Sequence, residues 1–488
     1  MRAVGGITML YRVSPDGESK CAVALSPGTG DTEATLTLEE KLRRERTRTA
    51  AVGITSFTIV NGGRGVVYPL GGELLWAPSD AAAPVTVIER QSGAGPVLDA
   101  RPSPNGELVA FAQDGELWVA PLEAGGGARR VRVSDGSGAA SGGTVTHGLA
   151  DYLAAEEFDR STGFWWSPDG GAIAFQRTDD SRVPPLRIGH AGAEPASSTQ
   201  DEVHRYPFAG CANPVVRLYI ADMRILLAHG FPAAGAQTPP PPIATQILDL
   251  GPSDDIYVAR LQWVPIMAGS DAITAAAVPE HHFAVQLINR AQSVLDVVTY
   301  EWPPPTATAT GACAVRTTEQ QLTGTLQLRE CTDDDVLGWI NVHDCLRGVV
   351  VSAGAAGRRA LVLWASERSG FQHLYLYEMS PCTAQQAAYT GLPLSAEEAA
   401  EGLRNGSAVP AATLLGAISS GDDWIVDGVS GVVEAPPSSA RDIADGFPHL
   451  IVYFTGSHDG PLERHLYATA VLVPLGPLAS TGTKASVR

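Results

Sequence analysis

The sequence predicts an all-β protein that folds as a β-propeller. Most of its 488 residues belong to short β-rich runs separated by Gly, Pro, Asp and Ser, the pattern of antiparallel strands joined by turns. A strand–turn–strand pattern recurs along the chain, and two copies contain the same His-Leu-Tyr strand, at residues 373–375 and 465–467. Repeated units of this kind are typical of propeller blades. A pair of β-sandwiches is the alternative, but it does not explain the repeated turn and aromatic strand.

The strands are predicted from their turns. Residues 97–120 are expected to form a strand, a Ser-Pro-Asn-Gly turn, a strand, an Asp-Gly turn and a third strand, because Pro presets the turn and Gly accepts a positive φ. Residues 163–177 repeat the first half of this pattern with Ser-Pro-Asp-Gly. The stretches 359–378 and 450–469 repeat the strand–turn–strand arrangement with different turns.

A few stretches are predicted to be helical. Capping boxes at residues 37–40 and 395–398, Thr-x-x-Glu and Ser-x-x-Glu, each indicate the start of a helix. The second of these helices is expected to end at the Asn-Gly pair 405–406, since both residues favour the end of a helix. A third, short helix is predicted over residues 151–160.

The composition narrows the possible function classes. The chain has 53 acidic and 34 basic residues and a formal net charge of −19, which argues against a nucleic-acid-binding surface and suits a cationic ligand. The six cysteines show no metal-site spacing, so we expect reduced thiols, no metal and no cofactor. We also find no apolar run that resembles a signal peptide or membrane span. A cytoplasmic protein that binds neither membranes nor nucleic acids is therefore expected.

The most informative chemical feature is the adjacent pair Glu156 and Glu157. It lies in an otherwise apolar helical segment just before the strand 164–166, Phe-Trp-Trp. Two neighbouring carboxylates can share the three donors of a primary ammonium group. Neighbouring glutamates on a solvated helical turn are also common, so the residues alone leave both interpretations open.

The other residues that could suggest a catalytic, metal or cofactor site are better explained by structural roles. Ser457, His458 and Asp459 are consecutive, and consecutive residues of a turn cannot form the relayed hydrogen bonds of a catalytic triad. The pairs 281–282 (His-His) and 343–344 (His-Asp) lack a third metal ligand at suitable spacing, so surface or capping roles are expected. Trp165 and its neighbouring tryptophan are expected in a blade core or lining rather than around a cofactor.

The segment around Glu156 and Glu157 resembles the Glu-Glu motif of the dipeptidyl peptidase IV family. The resemblance continues through residues 175–184, which end in Val-Pro, and through residues 204–218, which contain the family's Tyr-Pro-x-Ala-Gly-x-x-Asn-Pro element. Further stretches are similar to the cytosolic branch of the family, dipeptidyl peptidases eight and nine and their plant and bacterial relatives. Together the matches extend from about residue 38 to about residue 470; the branch-specific ones are 40–57, 339–344 (Trp-Ile-Asn-Val-His-Asp), 366–375 and 460–467.

The resemblance implies an eight-bladed type of propeller with an incomplete last blade. The domains expected from it are an N-terminal arm with a short helix at 1–50, a propeller at 51–475 and a flexible tail at 476–488. It implies that Glu156 and Glu157 bind the free N-terminal amine of a peptide substrate. A loose match makes Arg90 a possible counterpart of the arginine that the family places near the substrate carbonyl.

The catalytic part of the family pattern is not found in this sequence. The family's serine-type hydrolase domain carries a Gly-x-Ser-x-Gly nucleophile motif, and the 488 residues contain none. No catalytic residue is therefore assigned, and the chain is expected to be inactive alone. One hypothesis is the substrate-binding part of a dipeptidyl aminopeptidase, which would form a homodimer as a complete enzyme. The alternative is a non-catalytic, stand-alone propeller that acts as a peptide- or protein-binding scaffold.

Overall fold

The structure is a computed structural model, and it describes the greater part of the chain between residues 52 and 473. The predicted helix at 37–40 and Arg90 lie outside the described residues. The chain divides into two compact units, Met1–Leu248 with Val315–Gln320, and Asp249–Ala314 with Gln321–Arg488. The described ranges are 2–4, 7–13, 20–24, 52–54, 56–70, 72–79, 84–89, 94–122, 130–188, 202–231, 243–264, 281–302, 321–332, 338–352, 358–380, 388–407, 409–435, 449–460 and 462–473.

Antiparallel strands make up most of the first unit, and those of residues 97–120 and 163–177 are formed as the sequence predicts. Its N-terminal sheet contains β1 (Arg2–Val4), β2 (Ile7–Val13), β3 (Lys20–Ala24) and β4 (Val52–Gly53), the last parallel to β2. Two four-stranded sheets follow: β5 (Thr58–Val60), β6 (Gly65–Leu70), β7 (Glu73–Pro78), β8 (Val85–Ile88); and β9 (Leu98–Pro102), β10 (Leu108–Gln113), β11 (Glu116–Pro121), β12 (Val131–Arg132).

A five-stranded sheet completes the first unit and carries the candidate site. A two-stranded ribbon, β16 (Pro185–Ile188) with β17 (Glu202–Arg205), is inserted into it. The other strands of this sheet are β13 (Val145–His147), β14 (Phe164–Trp166), β15 (Ala172–Asp179), β18 (Val215–Asp222) and β19 (Thr245–Ile247).

The second unit repeats the same architecture. Two four-stranded sheets are followed by one with three strands among the described residues. The strands are β20 (Ile256–Val264), β21 (His281–Asn289), β22 (Val294–Trp302), β23 (Thr325–Cys331); β24 (Arg347–Ser352), β25 (Arg358–Ser366), β26 (His373–Glu378), β27 (Thr413–Ala417); and β28 (Val426–Ala435), β29 (His449–Gly456), β30 (His465–Leu472).

Short helices connect some of the strands. A 3₁₀ turn covers Asn61–Gly63, and the α-helices are α1 (Ser137–Ala140), α2 (Tyr152–Glu156), α3 (Arg224–His229) and α4 (Ala396–Arg404). Helix α4 confirms the capping prediction, because the Ser395 side chain accepts a hydrogen bond from the Glu398 N–H at 3.1 Å. The Glu398 carboxylate accepts one in return from the Leu394 N–H at 2.8 Å.

The two Ser-Pro-x-Gly turns are built identically. The Gly106 N–H donates to the Ser103 carbonyl at 2.8 Å, and the φ of Gly106 is +74°. The Ser103 hydroxyl also accepts a hydrogen bond from the Leu108 N–H at 3.0 Å, which begins the next strand. In the second copy Gly170 has the same φ of +74° and the Ser167 hydroxyl accepts from the Ala172 N–H at 2.8 Å. The serine therefore sets the strand that follows each turn.

Apolar clusters form where two successive sheets pack against each other. On β10, Val109 and Phe111 pack with the preceding sheet, whereas Ala110 between them packs with the following one. This alternation follows from the two-residue period of a strand. A third cluster combines β25 and β26 with β28 and β29 in the second unit. Both faces of the central strands are buried in this way.

A buried ion pair joins β22 to β23. Asp296 and Arg329 are direct partners in the strand register, and both guanidinium–carboxylate hydrogen bonds measure 2.6 Å. The two side chains are only 0 % and 2 % exposed. The Tyr389 hydroxyl donates a further hydrogen bond to Asp296 at 3.0 Å.

We expect Asp296→Asn to lower the free energy of unfolding by about 3–5 kcal/mol, because it leaves the buried Arg329 cation without its counter-charge. Chemical denaturation measures this loss. The matched control is Glu401→Gln, which removes the carboxylate of an exposed pair with Arg404 (61 % and 65 % exposed) and should cost less than about 0.5 kcal/mol. Equal losses for the two variants would contradict the expectation.

Candidate functional site

The double-glutamate segment forms a short helix with a defined start and end. The Asp151 side chain caps α2 by accepting a hydrogen bond from the Ala154 N–H at 3.0 Å. The helix ends at Glu156, and the Glu157 N–H donates to the Leu153 carbonyl at 2.8 Å. The helix is thus shorter than the predicted 151–160, with Glu156 as its last residue and Glu157 as its cap.

The chain after the helix explains why it stops there. Phe158 is buried, and Asp159 adopts a left-handed φ of +50°, which an α-helix of L-residues cannot continue through. The Arg160 N–H then donates back to the Ala154 carbonyl at 2.9 Å. Glu156 and Glu157 therefore lie between two buried anchors, Ala154 and Phe158, and both are exposed to solvent.

A buried polar network attaches this segment to β15. Gln176 donates from Nε2 to Asp151 Oδ2 at 3.0 Å and accepts from Arg160 at its Oε1 at 2.8 Å. Arg160 also donates to the Thr162 carbonyl at 2.6 Å and lies 3.8 Å from Asp151 Oδ2. Asp151, Arg160 and Gln176 are all buried. The helix cap, the segment after the helix and the sheet are therefore connected by one set of hydrogen bonds.

Backbone contacts strengthen the same attachment. The Gly148 N–H donates to the Gln176 carbonyl at 2.9 Å, and the Gln176 N–H donates to the Gly163 carbonyl at 2.8 Å. Leu149 and Thr162 form a β-bridge. Arg101 of β9 donates to the Thr162 hydroxyl. The segment with the two glutamates is thus held at both of its ends.

Three aromatic side chains pack together beside the first turn of α2. The Tyr152 ring meets Tyr206 edge-on at 5.3 Å, and Tyr206 meets Phe208 edge-on at 5.0 Å. Phe208 is 39 % exposed. Two motifs that are about fifty residues apart in the sequence, the double-glutamate segment and the Tyr-Pro-Phe element, are therefore neighbours in the structure.

The arrangement presents negative charge to solvent at the carboxyl end of a helix. Glu156 is the last helical residue and Glu157 is the cap, where unpaired carbonyl groups add partial negative charge. Asp159 is exposed two residues later. A compact cationic group with several hydrogen-bond donors is the ligand that this chemistry favours.

The structure confirms the structural roles expected for the Ser457 and His343 motifs. The Ser457 hydroxyl accepts a hydrogen bond from the Ile425 N–H at 3.2 Å. In the same exposed turn, His458 Nδ1 lies 3.1 Å from Asp459 Oδ1. His343 Nε2 is 2.7 Å from the Ala365 carbonyl. Burial lowers the pKa of His343 to about 4, so the ring is neutral at pH 7.

Sequence reasoning did not identify Asp151, Arg160 and Gln176 as members of the site. Their relation depends on strand pairing, which a single sequence does not display. The left-handed residue Asp159 was also unforeseen, although an Asp following a helix tolerates that conformation.

Among the described residues, the structure contains no helix that is long and apolar enough to cross a membrane.

The comparisons with known proteins show the family to which this fold belongs. A family model described as "Dipeptidyl peptidase IV (DPP IV) N-terminal region" matches residues 78–397. The chain belongs to this family, as the motifs around Glu156 indicated.

The comparisons also identify individual relatives. The chain is 24 % identical over 464 residues to Dipeptidyl peptidase 8 of Homo sapiens. The aligned region covers 89 % of this chain and 46 % of that protein. It is 30 % identical over 131 residues to the Probable dipeptidyl-aminopeptidase B of Phaeosphaeria nodorum, covering 25 % and 14 % of the two proteins. Dipeptidyl peptidase 4 of Porphyromonas gingivalis matches with a TM-score of 0.52 at 19 % identity, covering 94 % of this chain and 51 % of that one.

Two conclusions follow from these matches. The likeness to the solved structure, together with the successive antiparallel meanders, confirms the β-propeller fold. The chain spans about half the length of Dipeptidyl peptidase 8.

We expect Gly163→Ala to destabilise the site segment, because an added Cβ would lie 2.3 Å from the Leu149 nitrogen and 2.5 Å from the Gly148 carbonyl carbon. Such overpacking against backbone should cost about 1–3 kcal/mol, measured by urea denaturation. Amide hydrogen exchange should also accelerate at residues 148–157. The control is Gly431→Ala in β28, where nothing lies within 4 Å of the new Cβ. Unchanged exchange in Gly163→Ala would refute this account of the attachment.

Proposed function

We propose that this protein is the substrate-binding propeller of a serine-type dipeptidyl aminopeptidase, and that Glu156 and Glu157 bind the free N-terminal amine of a peptide. The observation that carries the proposal is the adjacent, exposed pair of carboxylates at the carboxyl end of α2. The family membership supports it, because the relatives are named dipeptidyl peptidases. Peptides with a free N-terminus are thus the proposed partners.

The chemistry of an ammonium group accounts for the two glutamates. An ammonium group has three N–H donors and no acceptor, so two carboxylates can each accept one or more of its hydrogen bonds. Charge-assisted hydrogen bonds of this kind are roughly twice as strong as neutral ones. An acetylated N-terminus has lost both the charge and two donors, so it should bind weakly. This difference is the basis of recognition at a peptide end.

The buried network supplies the rigidity that such a site needs. Binding energy is wasted if it must first order a mobile segment. Asp151, Arg160 and Gln176 hold α2 through hydrogen bonds that do not involve the Glu156 or Glu157 carboxylates. An amine anchored by a rigid helix fixes the position of the peptide bonds that follow it. If a hydrolase domain cleaves the second of these peptide bonds, it would remove two residues at a time from the bound peptide.

We propose that the nucleophile belongs to a separate α/β-hydrolase domain of the same protein. The absence of a Gly-x-Ser-x-Gly motif from the 488 residues supports this division of roles. In this proposal the complete enzyme is cytoplasmic and homodimeric. The stand-alone peptide-binding scaffold remains the alternative, and it shares the same amine site.

The double variant Glu156→Gln/Glu157→Gln should weaken binding of a free-amine Ala-Pro peptide at least tenfold, because hydrogen bonds to charged groups are worth about 1.5–3 kcal/mol. Isothermal titration calorimetry measures the change. The unmodified protein should prefer the free-amine peptide to its acetylated form, and the variant should lose this preference. Equal affinities of the variant and the unmodified protein would refute the amine site.

The chain offers a matched control in Glu397→Gln/Glu398→Gln. These adjacent glutamates lie in the first turn of α4, so the control removes the same formal charge at another helix. Gln at position 398 can still accept the Leu394 hydrogen bond. Its affinity for the Ala-Pro peptide should equal that of the unmodified protein. A comparable loss in the control would show a non-specific charge effect.

The size of the endogenous protein distinguishes the enzyme from the scaffold. A hydrolase domain of about 250 residues lies at the upper end of ordinary domain sizes, so it would raise the mass well above the 51.0 kDa of this chain. We expect an immunoblot of source cells, with an antibody against this propeller, to show the larger band. A single band at 51 kDa would instead favour the scaffold.

A further inference from the structure

A second cluster of titratable groups lies in the same unit, apart from the double-glutamate pair. Glu116 begins β11, His147 ends β13, and Asp135 lies in the loop before α1. One ligand atom from each residue can be chosen so that all three lie within 4.8 Å of one another. Glu116 and His147 are each 1 % exposed, whereas the Asp135 side chain is 62 % exposed. The cluster is therefore buried on one side and open to solvent on the other.

The surroundings of His147 leave one ring nitrogen without a hydrogen bond. Nδ1 lies 3.1 Å from the Gly115 carbonyl oxygen and 3.5 Å from Glu116 Oε2. Because a carbonyl oxygen can only accept, Nδ1 must carry the proton, and a neutral ring then has its lone pair on Nε2. Nε2 is buried and has no hydrogen-bond partner, although Asp135 Oδ1 is 3.3 Å away.

The distance between these two atoms also suits two ligands of one cation. Zinc binds nitrogen and oxygen ligands at about 2.0–2.2 Å, so two ligands of one ion at tetrahedral or octahedral angles lie roughly 3.0–3.5 Å apart. The 3.3 Å between His147 Nε2 and Asp135 Oδ1 falls in this interval. A histidine that binds metal through Nε2 commonly donates its other N–H to a carbonyl or carboxylate, and Gly115 and Glu116 occupy that position here.

We propose that His147 Nε2 and the Asp135 carboxylate bind a divalent transition-metal ion of the Zn²⁺ class, with Glu116 as the buried carboxylate behind the imidazole. Imidazole with carboxylate oxygen is a ligand set that suits such ions. Water molecules complete the coordination on the open side, next to Asp135. The two carboxylates together balance the charge of the ion.

The other charged groups around the cluster are of both signs, and each has a partner within the protein. Glu116 is held by hydrogen bonds from the Ser134 hydroxyl, from the Gly136 N–H at 3.2 Å and from the Ala139 N–H at 3.0 Å. Arg177 is the strand partner of His147, and it lies 3.6 Å from its own counter-ion, Asp179.

Asp135 is held in place by its own loop, because its Oδ1 atom accepts a hydrogen bond from the Ser137 N–H at 2.8 Å.

Metal binding would connect three elements that are separate in the sequence. β11, the loop before α1 and β13 each contribute one residue. His147 is only four residues before Asp151, the cap of α2. An ion at this position would therefore stabilise the strand that leads into the double-glutamate helix, whether or not that helix binds amines.

The test uses the full chain after removal of metals with a chelator. Titration with Zn²⁺ in a calorimeter should show a one-to-one site, and Zn²⁺ near 100 times its dissociation constant should raise the melting temperature by about 2–8 °C. Co²⁺ should give a visible absorption spectrum of nitrogen and oxygen ligation without thiolate bands. Asp135→Asn should weaken Zn²⁺ binding at least tenfold and abolish the Co²⁺ spectrum.

The variant and its control keep the proposal falsifiable. Asp135 is exposed, so its replacement should leave the fold intact, whereas His147→Gln alters a buried residue and serves as the second variant. Asp422→Asn removes another exposed aspartate, and it should bind Zn²⁺ as the unmodified protein does. Absence of Zn²⁺ binding at millimolar concentration, or equal binding by Asp135→Asn, would overturn the proposal and leave His147 and Asp135 as a simple ion pair.

Discussion

The burial of both faces of the central strands is the constraint on which this structure depends. In β10 every residue from Leu108 to Gln113 is buried, and alternate side chains contact the sheets before and after it. A four-stranded sheet of this kind cannot cover its own apolar surface, so its stability comes from the neighbouring sheet in the same unit. This is why the chain repeats one short meander, with the serine and glycine of each Ser-Pro-x-Gly turn placing the next strand.

Polar residues on such strands must find partners inside the protein, and the candidate site exploits this requirement. Gln176 lies on β15 with no exposed surface, where an unsatisfied amide would cost about 1–3 kcal/mol. Its amide is satisfied by Asp151, Thr178 and Arg160. Two of these three partners belong to the double-glutamate segment. The same hydrogen bonds that make a buried glutamine tolerable therefore position the helix.

The charged groups of this region divide into two kinds by their burial. Asp151 and Arg160 are buried and engaged with the protein, so they determine geometry. Glu156 and Glu157 are exposed, so a ligand can reach their carboxylates at little desolvation cost. The cluster of Glu116, Asp135 and His147 combines both kinds, because two members are buried and one faces solvent. A site needs both kinds, since rigid placement and access to ligand are separate requirements.

The sequence alone determined the features that depend on near neighbours along the chain. These are the strand–turn–strand copies, the Ser395 cap of α4 and the presence of the double-glutamate pair on a short helix, since turns and caps act over three or four residues. Only the tertiary structure decided which residues meet across strands. Asp151 contacts Gln176 across 25 positions, and the two His-Leu-Tyr strands show the limit clearly: His373 is fully buried against Ser419, whereas His465 is exposed. Identical local sequence cannot encode this difference, because burial is set by the sheet that packs against each strand.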